Sequence, residues 1–83
     1  MKTNLIEVFV EENCKACDDV LSLVRSFAQK PDVELKVFDR ERDFLLVQER
    51  QVVIFPATFM NKRLLFYGEI AANALRKRLH RDV

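Results

Sequence analysis

Cys14-Lys15-Ala16-Cys17 stands at the junction of two different hydrophobic periodicities, and that position limits most of what the chain can become. Before it, Leu5-Ile6-Glu7-Val8-Phe9-Val10 is β-branched and aromatic, the composition of a buried strand. After it, Cys17, Val20, Leu21, Val24, Phe27 and Ala28 recur at steps of three and four residues, which is one stripe of a helix. Asn13 is placed to cap that helix, and Lys30-Pro31-Asp32 to end it. The first thiol therefore falls on the opening turn, where free backbone N–H groups and the helix dipole favour a thiolate. The second lies one turn further in, within reach of a disulfide with the first. Two thiols so placed suit either redox exchange or a soft metal ion, and the spacing alone does not choose between them.

The rest of the chain continues in short, clear elements. Glu34-Leu35-Lys36-Val37-Phe38-Asp39 alternates polar with apolar, a strand exposed on one face. Glu41–Arg50 reads as a short helix with Phe44, Leu45 and Val47 as its apolar side. Val52-Val53-Ile54-Phe55 runs into Pro56 and on through Thr58-Phe59-Met60 as a third strand. Asn61-Lys62 sits in hairpin position before a fourth, Leu64-Leu65-Phe66-Tyr67, which Gly68 breaks. Glu69 to about His80 forms a last helix with Ile70, Ala71, Ala74, Leu75 and Leu79 inward. The predicted order is β-α-β-α-β-β-α. Its first strand–helix–strand is a right-handed parallel crossover. The hairpin adds antiparallel strands, so the fold class is α/β, a mixed four-stranded sheet with helices on both faces. At 83 residues the chain makes one domain, 1–83, with an adequate but thin core.

Composition narrows the function classes. The chain is 49% hydrophobic and 33% charged with one glycine and two prolines, which is globular rather than disordered. A net charge of +1 gives no pull toward nucleic acid or membrane. The basic surplus is local: Lys62, Arg63, Arg76, Lys77, Arg78 and Arg81 face only Glu69 and Asp82 across residues 62–83. That segment reads as the solvated face of a terminal helix, or as a docking surface for an acidic partner. Met1-Lys2-Thr3-Asn4 is polar, and Leu5–Val10 is too short for a signal or a membrane span. The expected location is cytoplasmic, where a CxxC pair stays reduced and works as a catalyst or metal ligand. A zinc site needs four ligands, and two cysteines with one histidine could supply it only between subunits. No metal or cofactor is expected.

The element order, the Cys-x-x-Cys at the first helix start and the segment Phe55-Pro56-Ala57-Thr58 together resemble the thioredoxin fold in its compact form. Small glutaredoxin-like and mini-thioredoxin proteins match best, over Leu5 to about Leu79. The resemblance implies a thiol-disulfide oxidoreductase in which Cys14 is the nucleophile and Cys17 the resolving thiol. It also implies a cis Phe55–Pro56 bond facing Cys14. Phe55 and Tyr67 are candidates for an apolar rim holding an extended polypeptide, with Pro56 and Lys15 completing the substrate-binding set, although the phenylalanines equally serve a thin core. The implied partners are a disulfide substrate and an electron donor, a reductase or glutathione, with the protein a monomer or homodimer.

Several residues depart from that pattern. Asn13 stands where thioredoxins commonly carry an aromatic, and Lys-Ala separates the cysteines in place of Gly-Pro or Pro-Tyr. Val8 occupies the place of a buried acid that accepts the second thiol's proton, leaving Glu11, Glu12 or water for that task. Tyr67-Gly68-Glu69 reduces the paired glycines and acid with which glutaredoxins hold glutathione. Glu11, Glu12, Asp18 and Asp19 surround the thiols; they suit a helix start and also disfavour a thiolate. A reduction potential nearer about −270 mV than about −120 mV follows. His80 caps the last helix or faces solvent.

Two other classes remain open at this point. Copper chaperones also set a CxxC between strand and helix, but with a methionine where Glu12 stands, in the order β-α-β-β-α-β and without a Pro56 loop. A binding or sensing module on a thioredoxin scaffold would carry the same residues with the redox chemistry idle.

Overall fold

The apolar run of the first strand becomes the hub of the sheet. In the computed structural model, which describes residues 4–82 with the side chains of 72 and 79–82 excepted, β1 (Asn4–Val10) lies between two partners. It pairs in parallel with β2 (Val33–Asp39) and antiparallel with β3 (Ala57–Met60), which turns into β4 (Arg63–Tyr67). The strand order is β2-β1-β3-β4. Between strands run α1 (Lys15–Phe27), α2 (Phe44–Glu49) and α3 (Ala72–Asp82), giving the expected β-α-β-α-β-β-α order and mixed sheet.

The two-residue period of β1 divides the core. Ile6 and Val8 join Val20 and Val24 of α1, Met60 of β3 and Leu75 of α3 on one face. Phe9 joins Val47 of α2 with Val52, Ala57 and Phe59 on the other. Phe9 anchors that second cluster, its ring centroid 5.1 Å from Phe38 and 5.4 Å from Phe59. Two helices thus cover one face and α2 alone the other.

Glu7 shares the α2 face and is 1% exposed. A buried carboxylate needs a partner, and Arg50, immediately after α2, supplies two hydrogen bonds of 2.8 and 2.9 Å. Lys62 adds a third contact at 3.5 Å. The Arg50 guanidinium also lies 5.9 Å from the Phe9 ring and 5.3 Å from the Phe59 ring. Burial pushes the Glu7 carboxyl up, but the Arg50 hydrogen bonds and charge, with Lys62, outweigh it and hold it below the ordinary 4.5.

That ion pair sets the rotation of α2 and corrects its apolar side. Arg50 shares a stripe with Leu46 and Val47, at four and three residues, so those two pack inward. Leu45 is turned outward at 79% exposed, and Phe44 is 54% exposed. The helix is also shorter than expected, starting at Phe44 rather than Glu41. The intervening residues are held as a turn: Asp39 Oδ1 accepts from the backbone N–H of Glu41 and Arg42, and Asp43 Oδ2 accepts from that of Asp39. These backbone donors hold both carboxyls below their ordinary 3.8.

Two further boundaries differ from expectation. Val52–Phe55 is irregular and β3 begins only at Ala57, because Pro56 offers no N–H to a ladder. The last helix begins at Ala72 rather than Glu69, and Ala71 is exposed while Ile70 still packs on the core. The Gly68 N–H donates to the Pro56 carbonyl at 2.7 Å, so the chain after β4 is drawn to the proline loop before a helix can start. The Asn61-Lys62 turn is as expected. Both residues have positive φ, 50° and 72°, the two-residue hairpin geometry that follows sheet twist. The Asn61 Oδ1 accepts from the Leu5 N–H at 2.8 Å, tying the turn to β1. The expectations for the Leu79 and His80 side chains lie outside the described residues. Among the described residues no helix is long and apolar enough to cross a membrane.

Candidate active site

The chain leaves β1 at Val10 and must turn sharply to enter α1. Asn13 makes that turn with a φ of 53°, a left-handed conformation asparagine tolerates better than most residues. It is therefore not the helix cap. Cys14 is, with extended backbone at φ −119° and ψ 100° and its sulfur as the acceptor. The Cys17 N–H donates to Cys14 Sγ at 3.0 Å, and the Cys14 carbonyl accepts from Asp18 N–H at 3.2 Å. An N–H aimed at a sulfur on a helix N-terminus strengthens when that sulfur becomes anionic, so this cap favours a Cys14 thiolate.

Cys14 and Cys17 are joined as a disulfide, with their Cα atoms 5.2 Å apart. Their environments differ: Cys14 is half-buried, whereas Cys17 is 1% exposed on the inner stripe of α1 with Val20 and Val24. Cys14 is thus the more accessible of the two.

The acidic collar is partly neutralised. Glu11 pairs with Arg40 at 3.1 Å, and Asp19 with Lys15 at 3.7 Å. Lys15 is thus engaged along the helix surface, four residues on. Glu12 and Asp18 are exposed and have no ion pair among the described residues, which leaves an acidic excess beside the thiols.

The β1–β3 register pairs Phe9 with Ala57, so Pro56 lies at the sheet end from which the chain leads to Cys14. Pro56 is buried and the Phe55–Pro56 peptide bond is cis. Tyr67 pairs opposite Ala57 and is 45% exposed, so it and the proline loop share one rim. Phe55 is half-buried, packing on the α2-side cluster while lining an open cleft of about 530 Å³. Arg40, Phe44, Val47, Val52 and Val53 also line that cleft, and Leu45 and Ile54 are further exposed apolar side chains of the same segments. The structure therefore gathers Phe55, Pro56 and Tyr67 at one end of the sheet and leaves Lys15 on the helix.

Arg40 escaped the sequence reading. Its backbone N–H donates to the Val10 carbonyl at 2.8 Å, its side chain reaches Glu11, and its guanidinium lies 5.9 Å from the Phe55 ring. It links the loop before Cys14 to the loop before Pro56. The parallel register brings it there: Val10 pairs with Asp39, so the residues that follow the two strands meet.

Thr58, part of the third strand and the proline segment, has a side chain whose role the sequence did not suggest. It is 0% exposed, and its Oγ1 has no hydrogen-bond partner among the described residues. Such a buried unpaired hydroxyl costs about 1–3 kcal/mol. Among the described residues no group of three His, Cys, Asp or Glu side chains gathers to hold a metal.

The fold recurs among solved structures. The chain superimposes on the NTD N/C domain of alkylhydroperoxide reductase AhpF from Enterococcus faecalis with a TM-score of 0.85 and 24% identity, covering 95% of this chain but only 39% of that one. It matches Fasciola hepatica thioredoxin with a TM-score of 0.79 and 19% identity, covering 94% of this chain and 79% of the other. Oxidized mitochondrial thioredoxin 3 of Saccharomyces cerevisiae gives a TM-score of 0.72 and 20% identity, with 100% and 81% covered. No curated protein matches the chain. The thioredoxin-domain family profile matches residues 4–80, nearly the whole chain, and the protein belongs to that family.

Proposed function

We propose that the protein is a dithiol-disulfide oxidoreductase acting on disulfides presented by extended polypeptides. The observation that carries this reading is the asymmetry of the pair: a half-buried Cys14 sulfur capped by the Cys17 N–H, and a Cys17 sulfur enclosed behind it. In the reduced protein the Cys14 thiolate attacks one sulfur of a substrate disulfide. A bond forms between Cys14 and that sulfur, and the other substrate sulfur leaves as a thiolate that takes up a proton. Cys17 then attacks the Cys14 sulfur, closing the Cys14–Cys17 bond and releasing the second substrate thiol, which carries the proton Cys17 gave up. Two electrons pass from the dithiol to the substrate, and a reductase or glutathione returns them. The cleft beside Phe55, mostly apolar but also lined by Arg40, Gln48 and Gln51, supports a polypeptide substrate over a small polar one, with Tyr67 on the proline-loop rim.

The unpaired acids Glu12 and Asp18 oppose thiolates and so favour the disulfide form. Titration against glutathione or dithiothreitol buffers, followed by thiol alkylation and mass measurement, is expected to give a reversible two-electron couple nearer about −270 mV than about −120 mV. A strongly oxidising value would reverse the electrostatic part of the account. A pair that never cycles would end the redox reading.

A further inference from the structure

The resolving step, which rests on the redox reading above, leaves one chemical requirement open. Cys17 must become a thiolate while enclosed in apolar surroundings, and burial disfavours an anionic sulfur. Val20 and Val24 share its buried stripe on α1, and Ile6 and Val8 of β1 pack against that stripe. None of these can bind an anion or take a proton.

Thr58 can. Strand alternation settles its side: Ala57 and Phe59 belong to the α2-face cluster and Met60 to the α1-face cluster, so Thr58 points toward α1. Its cross-strand partner is Val8, on that same face. The vertical placement follows from topology. Because α1 connects two parallel strands, it runs back down the sheet against β1. One turn from Val20 toward the helix start reaches Cys17. Two residues from Met60 toward the start of β3 reaches Thr58, and both steps lead to the same end of the sheet. The hydroxyl thus lies on the Cys17 side of the core, fully buried, and without a hydrogen-bond partner among the described residues while the disulfide is closed.

We infer that Thr58 is a positioning residue for Cys17, its Oγ1–H donating to the Cys17 sulfur once the disulfide opens and so favouring the thiolate needed for resolution. The hydroxyl moves no electrons and keeps its own proton. The proton Cys17 loses still ends on the released substrate thiol. The unpaired state seen here is then the resting cost of a donor used only in the dithiol and mixed-disulfide states.

The test is a titration of Cys17 in the full-length Cys14→Ala protein, read by thiolate absorbance and by alkylation rate against pH, with no disulfide substrate present. Adding Thr58→Val is expected to raise the Cys17 pKa by about one unit, roughly a tenfold loss of thiolate, and adding Thr58→Ser to restore most of it. In wild type against Thr58→Val, the mixed disulfide with a model peptide is expected to persist about tenfold longer, with the first attack by Cys14 unchanged. Should the valine variant fold poorly, the Thr58 side-chain NMR signals in the Cys14→Ala protein must still move with the Cys17 titration. An unchanged Cys17 pKa, or Thr58 signals indifferent to it, overturns the assignment. Either result leaves the redox reading standing, because Cys14 attack and the Cys14–Cys17 couple are measured separately.

Discussion

Cys14→Ser is expected to bring catalysed reduction of insulin disulfides down to background, a loss of at least about 10³-fold, on the scale of removing any catalytic nucleophile. Cys17→Ser is expected to behave differently. It keeps the capped Cys14 sulfur and the first attack, and loses only the second. A covalent adduct with one substrate thiol should therefore accumulate on Cys14, visible as a stoichiometric mass increase that dithiothreitol removes. The difference between the variants follows from burial: Cys17 at 1% exposure cannot exchange with a polypeptide in place of Cys14. Equal activity in wild type and Cys14→Ser would instead favour a binding module on this scaffold.

Arg50→Ala is expected to cost about 3–5 kcal/mol, because it leaves the Glu7 carboxylate buried without its two hydrogen bonds. For a domain of this size that is roughly 12 °C or more in Tm, and a large share of a total stability of about 4–12 kcal/mol. Replacing both partners with apolar residues of similar volume should recover most of the loss. The pair also fixes the acid response. Because the Glu7 carboxyl is held below 4.5 in the folded state, its contribution is present above that pH and is lost as pH falls through the lower folded value. In Arg50→Ala only Lys62 still opposes burial, so the carboxyl rises and the stability gap between the two proteins narrows as pH falls. Urea unfolding at several pH values between about 3 and 7 measures both effects. Indistinguishable acid profiles for the two proteins would remove Glu7 from the account.

The elements that sequence located well are those whose signal is local. The β1 run, the α1 stripe and the Asn61-Lys62 turn each declare themselves within a few residues, and they are where expected. The rotation of α2 and the late start of α3 come from contacts distant in sequence. Nothing within Glu41–Arg50 says that Arg50 will reach back 43 residues to Glu7 and turn Leu45 to solvent. Likewise the late start of α3 depends on the Gly68 N–H meeting the Pro56 carbonyl. Asn13 was misassigned because a cysteine sulfur is a rarer cap than an amide oxygen, so the residue that usually caps was preferred to the one that does. At the site, the thiol pair and the proline loop were legible as a motif. Arg40 and Thr58 were not, since one acts through strand register and the other through a buried hydroxyl with no partner.

The central claim is that the two sulfurs are chemically unequal, with Cys14 the accessible thiolate and Cys17 the enclosed one. Competitive alkylation of the fully reduced protein with substoichiometric iodoacetamide, resolved by peptide mass spectrometry from about pH 5 to 9, measures that inequality directly. Cys14 is expected to take the label first at every pH, with a midpoint below the free-thiol value of about 8.5, while Cys17 stays largely unmodified. Equal labelling of the two, or faster labelling of Cys17, would contradict it.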